Sequence, residues 1–407
     1  MDPTLTAYRR GVALPSSNPF QRLAELLDDD RPGLPPIALT IGEPQHAMPE
    51  FLGPVLAENL PDFRRYPPIN GTGEFRAAIA AWLDKRYGLD GMIDAERGVL
   101  PLNGSREGLS FGAIAARDQL AKDFDHPVVI LPNPFYQTYA AAAHVADAQA
   151  VLLDARPGRN FLPDLETLDP EVLDRCVAFY VASPTNPEGS VASIGYWQQL
   201  IALARKHRFM IFADECYSEI YRSTPPPGIL EAAKTMGGGF DKIVVLNSLS
   251  KRSNLAGLRC GFAAGDPEFL SRWAKFRGLA APQVPIPHQA VAVRAYHDEA
   301  HVEENRRLYN EKFEAAEHYL GPILGPVTPE AGFFLWLDIS RWGRATEVTQ
   351  ALWRDVGLKV LPGDYLASDQ ADGSNPGRAY IRVGLVAPLG HTQTALERLS
   401  DWLGGEK

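Results

Sequence analysis

The run KIVVLNSLSKRSNLAGLR, residues 242–259, sets an apolar stretch directly against a polar one, with Lys251 just past the junction. KIVVL (242–246) reads as a buried strand, because four consecutive apolar residues with β-branched members suit a sheet covered on both faces. A lysine there is costly unless its charge is paired or its amine is used chemically. Arg259 follows eight residues later, a second cation beside the first.

The same pattern repeats outward from this run. PVVILPNP (127–134), AQAVLLD (148–154), RCVAFYVASPTNP (175–187), FMIFADE (209–215) and RCGFAAGD (259–266) read as strands. EFRAAIAAWLDKRYG (74–88) and YWQQLIALARKHR (196–208) carry helical periodicity. Continuous apolar strands alternating with helices predict an α/β fold with a mostly parallel central sheet. Beyond about residue 290 the texture changes. A long charged helix over roughly 291–320 leads to GFFLWLDI (332–339), TEVTQALWRDVG, VLPGDYLA and AYIRVGLV, which read as a smaller α+β domain. The division expected is residues 1–48 as an N-terminal arm and part of the small domain, 49–290 as the large domain, and 291–407 as the small C-terminal domain.

The bulk numbers narrow the class. With 407 residues, 45% of them apolar and 22% charged, the chain can bury a sizeable core. A net charge of −10 gives no general attraction for nucleic acid or an anionic membrane, so any phosphate site must be local. Cys176, Cys216 and Cys260 show neither CxxC nor zinc spacing and read as reduced, buried thiols. MDPTLTAYRRGVALP lacks the apolar core of a signal peptide, and no apolar run approaches 18 residues. A cytoplasmic protein is expected, with no membrane and no nucleic-acid partner.

In open α/β sheets ligands bind outside the carboxyl ends of the strands. The polar residues there form a set: NGSREG (103–108), NPFYQTY (133–139), SPTNPEG (183–189), ADECYSE (213–219) and NSLSK (247–251). Taken singly, each has a plain structural reading. Ser105 caps a helix, Asp214 is a buried carboxylate, Asn186 is a turn residue and Tyr136 a half-buried aromatic. Together they supply an anion-binding helix start, an aromatic pair, an amide, a carboxylate beside a tyrosine, and a lysine. Pyridoxal phosphate catalysis uses such a set. A lysine forms a Schiff base and shuttles a proton, a carboxylate keeps the pyridine nitrogen protonated, an amide and a phenol hold the ring oxygen, and hydroxyls with a cation hold the phosphate.

From IGEP (41–44) to YIRVGL (380–385), the order and spacing of SPTNPEG, ADECY and SLSKRSNLAGLR resemble the fold-type-I, class I/II pyridoxal-phosphate aminotransferases. The resemblance implies Lys251 as the Schiff-base lysine and Asp214 as the partner of the pyridine nitrogen. It implies Asn186 and Tyr217 on the ring oxygen and Tyr136 stacked on the ring. Ser105, Arg106, Ser248 and Arg259 would hold the phosphate. Tyr66, in RRYPPINGTGEFR, resembles a tyrosine that reaches the phosphate of the neighbouring subunit, which implies a homodimer with shared active sites. Arg382 resembles the arginine that forks onto the substrate α-carboxylate, with Gly42 offering a backbone contact. The implied activity moves an amino group from L-glutamate to a keto acid, so the partners are small amino-acid and keto-acid substrates.

SKRSNLAGLRCGFAAGD together with VLPGDYLA is similar to the N-succinyldiaminopimelate aminotransferase branch, whose acceptor is N-succinyl-2-amino-6-oxopimelate in lysine biosynthesis. Other class I/II aminotransferases (aspartate, aromatic or alanine type) and a β-lyase of the same fold are the alternatives. A dicarboxylic substrate calls for a second cation, for which Arg106, Arg252 and Arg277 are candidates. SLSK (248–251) also matches the S-x-x-K motif of penicillin-recognising hydrolases, but no KTG-type or SDN-type element accompanies it. HDEAH (297–301) has histidines at i and i+4 without the glutamate that would follow the first, so no metal is expected.

Overall fold

The computed structural model describes residues 18–120 and 126–405. The first part of the expected N-terminal arm, residues 1–17, lies outside the described residues.

The pattern of buried strands folds into a seven-stranded sheet. In chain order its strands are β1 (Val99–Leu102), β2 (Val128–Asn133), β3 (Gln149–Asp154), β4 (Cys176–Ala182), β5 (Met210–Asp214), β6 (Ile243–Ser248) and β7 (Gly261–Gly265). Across the sheet they run β1-β7-β6-β5-β4-β2-β3. Only β7 is antiparallel to its neighbours β1 and β6; β2 through β6 pair in parallel. All seven residues of β4 and all six of β6 are buried. In β6, Ile243 and Val245 face one core while Val244 and Leu246 face the other. This is why no polar alternation shows in the sequence: both faces are covered. Each such side chain contributes about 1.5–3 kcal/mol on burial.

Helices Gly73–Tyr87, Ile194–His207, Ile229–Thr235 and Ile286–His297 cover one face, through Phe75, Trp82, Trp197, Leu230 and Val291. Helices Ser105–Leu120, Gln137–Val145 and Pro267–Ala280 cover the other, through Leu109, Tyr139 and Trp273. The helix expected as one over roughly 291–320 is two, Ile286–His297 and Ala300–Leu324. Asp298 explains the break. Its backbone is extended where the first helix ends, and its carboxylate accepts from the His301 backbone N–H at 3.2 Å in the first turn of the second helix and pairs with the His301 ring at 3.0 Å.

The C-terminal body is a three-stranded antiparallel sheet, with Tyr380–Gly384 between Leu361–Pro362 and Phe334–Asp338. Helices Ala300–Leu324, Ala345–Val356 and Leu389–Gly404 back it through Phe313, Leu352 and Leu396. The N-terminal helix Pro19–Leu27 starts from a capping box of Asn18 and Gln21, and lays Leu23 and Leu27 on Leu361 and Leu366. Ile37–Ala38 then pairs with Leu358–Lys359. The following residues, 39–48, carry the chain past Arg382 and Lys251 and so roof the site.

Candidate active site

Lys251 sits on the one-turn helix Leu249–Arg252 that begins where β6 ends. The Ser248 hydroxyl caps it, accepting from the Ser250 N–H at 3.3 Å. The Lys251 Nζ donates to the Gly42 carbonyl in the roofing segment. The Phe333 and Tyr217 ring centroids lie 5.4 and 6.0 Å from that nitrogen. Burial lowers the Lys251 pKa to about 8, and the positive charge of Arg382 pushes the same way. The amine is therefore free far more often near neutral pH than an ordinary lysine's, as a nucleophile requires.

Asp214 ends β5 one strand away. Its Oδ2 accepts from the Tyr139 hydroxyl at 2.8 Å and its Oδ1 from the Cys216 N–H at 3.3 Å. Burial raises its pKa, opposed by those hydrogen bonds and by Lys251. Two carboxylate oxygens offer about four lone-pair sites, so room remains for a cationic N–H donor.

Arg382, on the middle strand of the small sheet, is only 5% exposed. It donates from Nη1 to the Asn186 Oδ1 at 3.1 Å and from Nη2 to the Thr40 carbonyl at 2.8 Å. Its guanidinium carbon stands 4.1 Å from the Phe334 ring centroid. Its buried Nε has no partner among the described residues. Burial depresses its pKa to about 10. The group is thus a desolvated, under-satisfied cation that an anionic ligand would relieve.

A further cluster forms where the helix Ser105–Leu120 begins. The buried Cys216 thiol lies 3.9 Å from the Ser248 hydroxyl and bonds to Ser105, which brings the two serines together. Arg259 donates to the Asn103 carbonyl at 3.1 Å and the Ala256 carbonyl at 2.7 Å, closing the cluster from the side. Gly104 makes this approach possible. It has φ +79°, and a Cβ there would stand 2.2 Å from the Arg259 Nη2. The first N–H groups of a helix have no intrahelical partners and favour an anion. Arg106, exposed at the mouth, donates from Nε to the Tyr136 hydroxyl at 2.7 Å.

The sequence-predicted residues Lys251, Asp214, Tyr217, Asn186, Arg382, Gly42, Ser105, Ser248, Arg259, Arg106 and Tyr136 therefore gather at one end of the sheet. Tyr66 does not join them within the chain; it is 100% exposed. Arg252 and Arg277 must be withdrawn as candidates for a distal carboxylate. Arg252 is buried between the Trp82 and Tyr296 rings and pairs with Glu299 at 3.0 Å. Arg277 grips Glu107 with two hydrogen bonds of 2.6 and 3.1 Å. In both, burial next to a carboxylate consumed the charge, which linear order does not reveal. The HDEAH histidines stand on two different helices, and His301 is bonded to Asp298 and, at 2.8 Å, to Ser253.

Three contributors carry no sequence signal of their own. Tyr139, three residues past Tyr136, reaches Asp214 because the helix Gln137–Val145 turns it under the site. Phe333 and Phe334 read as strand residues, yet they wall the Lys251 amine and the Arg382 guanidinium.

A family model described as aminotransferase class I and II matches residues 35–401. The chain belongs to that family. An LL-diaminopimelate aminotransferase from Maridesulfovibrio salexigens is 28% identical over 90% of this chain and 92% of its own. A crystal structure of an aminotransferase from Neisseria meningitidis superposes with a TM-score of 0.89 at 36% identity, covering 95% of this chain and 98% of that one. A Thermus thermophilus protein described as a probable N-succinyldiaminopimelate aminotransferase superposes with a TM-score of 0.81 at 28% identity, covering 94% and 100%. Aminotransferases of this family use pyridoxal 5′-phosphate. The residues fit that group: an amine whose pKa burial brings down to about 8, a buried carboxyl with lone pairs to spare, and a helix start at which Gly104 lets the Arg259 guanidinium come close.

Proposed function

We propose that this aminotransferase moves an amino group from L-glutamate to N-succinyl-2-amino-6-oxopimelate in diaminopimelate and lysine biosynthesis. The observation that carries an α-carboxylate substrate is Arg382, buried, with an unpartnered Nε and facing the amide of Asn186. When bound, pyridoxal phosphate supplies an electron-accepting ring and an aldehyde that holds amino groups.

The chain's own residues do the rest. Lys251 Nζ takes and returns a proton at the substrate α-carbon, and its depressed pKa keeps both protonation states accessible. Asp214 holds a proton on the ring nitrogen, and Tyr139 holds Asp214 in place. Asn186 and Tyr217 would hold the ring oxygen, and Tyr136 would supply an aromatic wall for the ring. Ser105, Arg106, Ser248 and Arg259 bind the phosphate. Arg382 orients the substrate carboxylate together with the backbone at Gly42. Phe333 shields the amine and Phe334 the Arg382 guanidinium from water, which strengthens the charge interactions there.

Tyr66 completes the phosphate site from a second copy of the chain, so the enzyme is a homodimer with shared active sites. Leu60, Phe63, Tyr66 and Ile69 are exposed on one stretch, and the exposed Leu279 follows Gly278, which packs near Ile69. An apolar surface of this kind favours a protein partner.

The succinylated acceptor is supported by the segments SKRSNLAGLR and VLPGDYLA and by the likeness to the Thermus protein. The likeness to LL-diaminopimelate aminotransferases favours a second reading, in which the unacylated amino acid is the substrate. The test runs the reaction in reverse with 2-oxoglutarate as acceptor, comparing N-succinyl-LL-diaminopimelate with LL-diaminopimelate as donor. A kcat/KM at least about tenfold higher for the succinylated donor, worth about 1.4 kcal/mol, supports the first reading. The reverse preference establishes the second, and activity on neither with turnover of aromatic or alanine donors overturns both.

A further inference from the structure

The segment Ile41–Met48 has no regular secondary structure, yet it supplies the Gly42 carbonyl to the Lys251 amine. It is also anchored through the His46 ring and through the Ala47 carbonyl, which accepts from the Asn254 amide at 3.2 Å. Residues Ile41, Glu43, Gln45, Ala47 and Met48 are exposed, so the segment is a strap lying on the surface.

The His46 ring is the middle of a hydrogen-bond chain that ends at the catalytic lysine's own backbone. The Asn305 Nδ2 donates to the Lys251 carbonyl at 3.2 Å. The Asn305 Oδ1 is therefore free to accept, and it lies 2.7 Å from the His46 Nδ1. That fixes the proton on Nδ1 and leaves Nε2 as an acceptor. Nε2 lies 2.6 Å from the Nζ of Lys312, which also donates to the Leu385 carbonyl at 3.1 Å. Lys312 is buried, and its ammonium faces the ring. The groups around His46 are Lys312, Asn305, the Tyr309 ring at 4.5 Å between centroids, and Glu304, whose carboxylate is already gripped by Arg307 at 2.7 and 2.8 Å. A second proton on Nε2 would point at the ammonium, two like charges in hydrogen-bond contact.

Resting on the reading of Lys251 as the reacting amine, we propose that His46 is a positioning residue: singly protonated at Nδ1 it pins the 41–48 strap across the Lys251 amine, and gaining a second proton releases the strap. The strap then closes both ends of Lys251, the amine through Gly42 and the backbone carbonyl through Asn305. Burial and Lys312 together lower the His46 pKa, against the pull of Asn305 and Glu304, so the pin holds at neutral pH and opens below the ordinary histidine range.

The three native cysteines are buried, so a Gln45→Cys substitution on the exposed edge of the strap offers one accessible thiol for a nitroxide label. The mobile fraction of its electron paramagnetic resonance spectrum is measured from pH 5 to 8 in the cofactor-loaded protein. The strap should be immobile at neutral pH and become mobile only below the ordinary histidine range of about 6.5. In the His46→Phe background it should be mobile at every pH, with KM for glutamate up about tenfold and kcat within about threefold, the split expected of a lost positioning contact. In Lys312→Met, which removes the opposing charge, the transition should move up toward the ordinary histidine value of about 6.5.

A pH step that persists in His46→Phe, or an unchanged step in Lys312→Met, overturns the proposal. Should His46→Phe fail to fold, the Lys312→Met shift alone decides. A strap that behaves as described in a protein that neither forms the cofactor's visible band nor responds to glutamate leaves the pin standing and overturns the aminotransferase reading.

Discussion

Replacing Arg382 with Met separates binding from stability, because the same burial that suits the guanidinium to a carboxylate makes it a liability without one. Its pKa falls from 12.5 to about 10 on burial. At 1.36 kcal/mol per pH unit, that is about 3 kcal/mol of unfavourable burial relieved when the charge goes. Against this, the Asn186 Oδ1 and Thr40 carbonyl lose their donors, at about 1 kcal/mol each. Contact with the Phe334 ring is kept by the thioether. The net change is within about 1–2 kcal/mol of zero, so the Tm of the substrate-free protein should move by no more than about 3–4 °C in either direction. With substrate present the balance inverts. Removing one partner of a buried, hydrogen-bonded charge pair costs about 2–5 kcal/mol, or roughly 30-fold to several thousand-fold in KM for glutamate. Arg382→Lys should recover only part of this, since an ammonium cannot make the two parallel bonds of a guanidinium. Thermal melts of the substrate-free proteins and steady-state kinetics with glutamate make the comparison. A Tm loss well beyond about 4 °C together with KM within about threefold of wild type would show that Arg382 is a structural cation and that the carboxylate binds elsewhere.

The other predictions concern the remaining parts of the site. The rate at which cofactor-free protein captures pyridoxal phosphate should rise with pH through a midpoint of about 8, since the neutral Lys251 amine is the nucleophile; a midpoint near 10 would contradict the buried amine, and Lys251→Ala should show neither the visible band nor transamination. Asp214→Asn should lower kcat by at least about 10²–10³-fold, and Tyr139→Phe, which removes one donor to that carboxyl, by about tenfold; a wild-type rate in either would count against proton retention on the ring nitrogen. Arg277→Ala should destabilise the fold by about 3 kcal/mol, because the largely shielded Glu107 carboxylate loses its cation and keeps the Asn103 donors alone, while KM stays within about twofold; an unchanged Tm with a raised KM would return Arg277 to the substrate pocket. Tyr66→Phe should loosen cofactor about tenfold, one lost hydrogen bond to a charged phosphate, without changing the mass in solution; unaltered cofactor affinity would mean that no neighbouring subunit shares the site.

The linear order of this chain determined a good deal. Strand interiors such as VVIL in β2 and IVVL in β6 are apolar on both faces, and only a sheet covered on both sides buries such runs. Once that sheet is granted, the polar residues that end its strands must meet, so Lys251, Asp214, Asn186 and Ser105 were legible as a set before any coordinate. Tertiary structure decided what depends on where side chains end up in three dimensions. Arg252 and Arg277 look as free in sequence as Arg259, but packing against Glu299 and Glu107 gave both of them structural work. The helix break at Asp298 goes with a local side-chain hydrogen bond to the His301 N–H that helical periodicity does not register. Tyr139, the two phenylalanines and the His46–Asn305–Lys251 chain bring together residues up to 259 positions apart. Such pairings are set by how helices and sheets pack on one another in three dimensions, and sequence spacing holds no record of that.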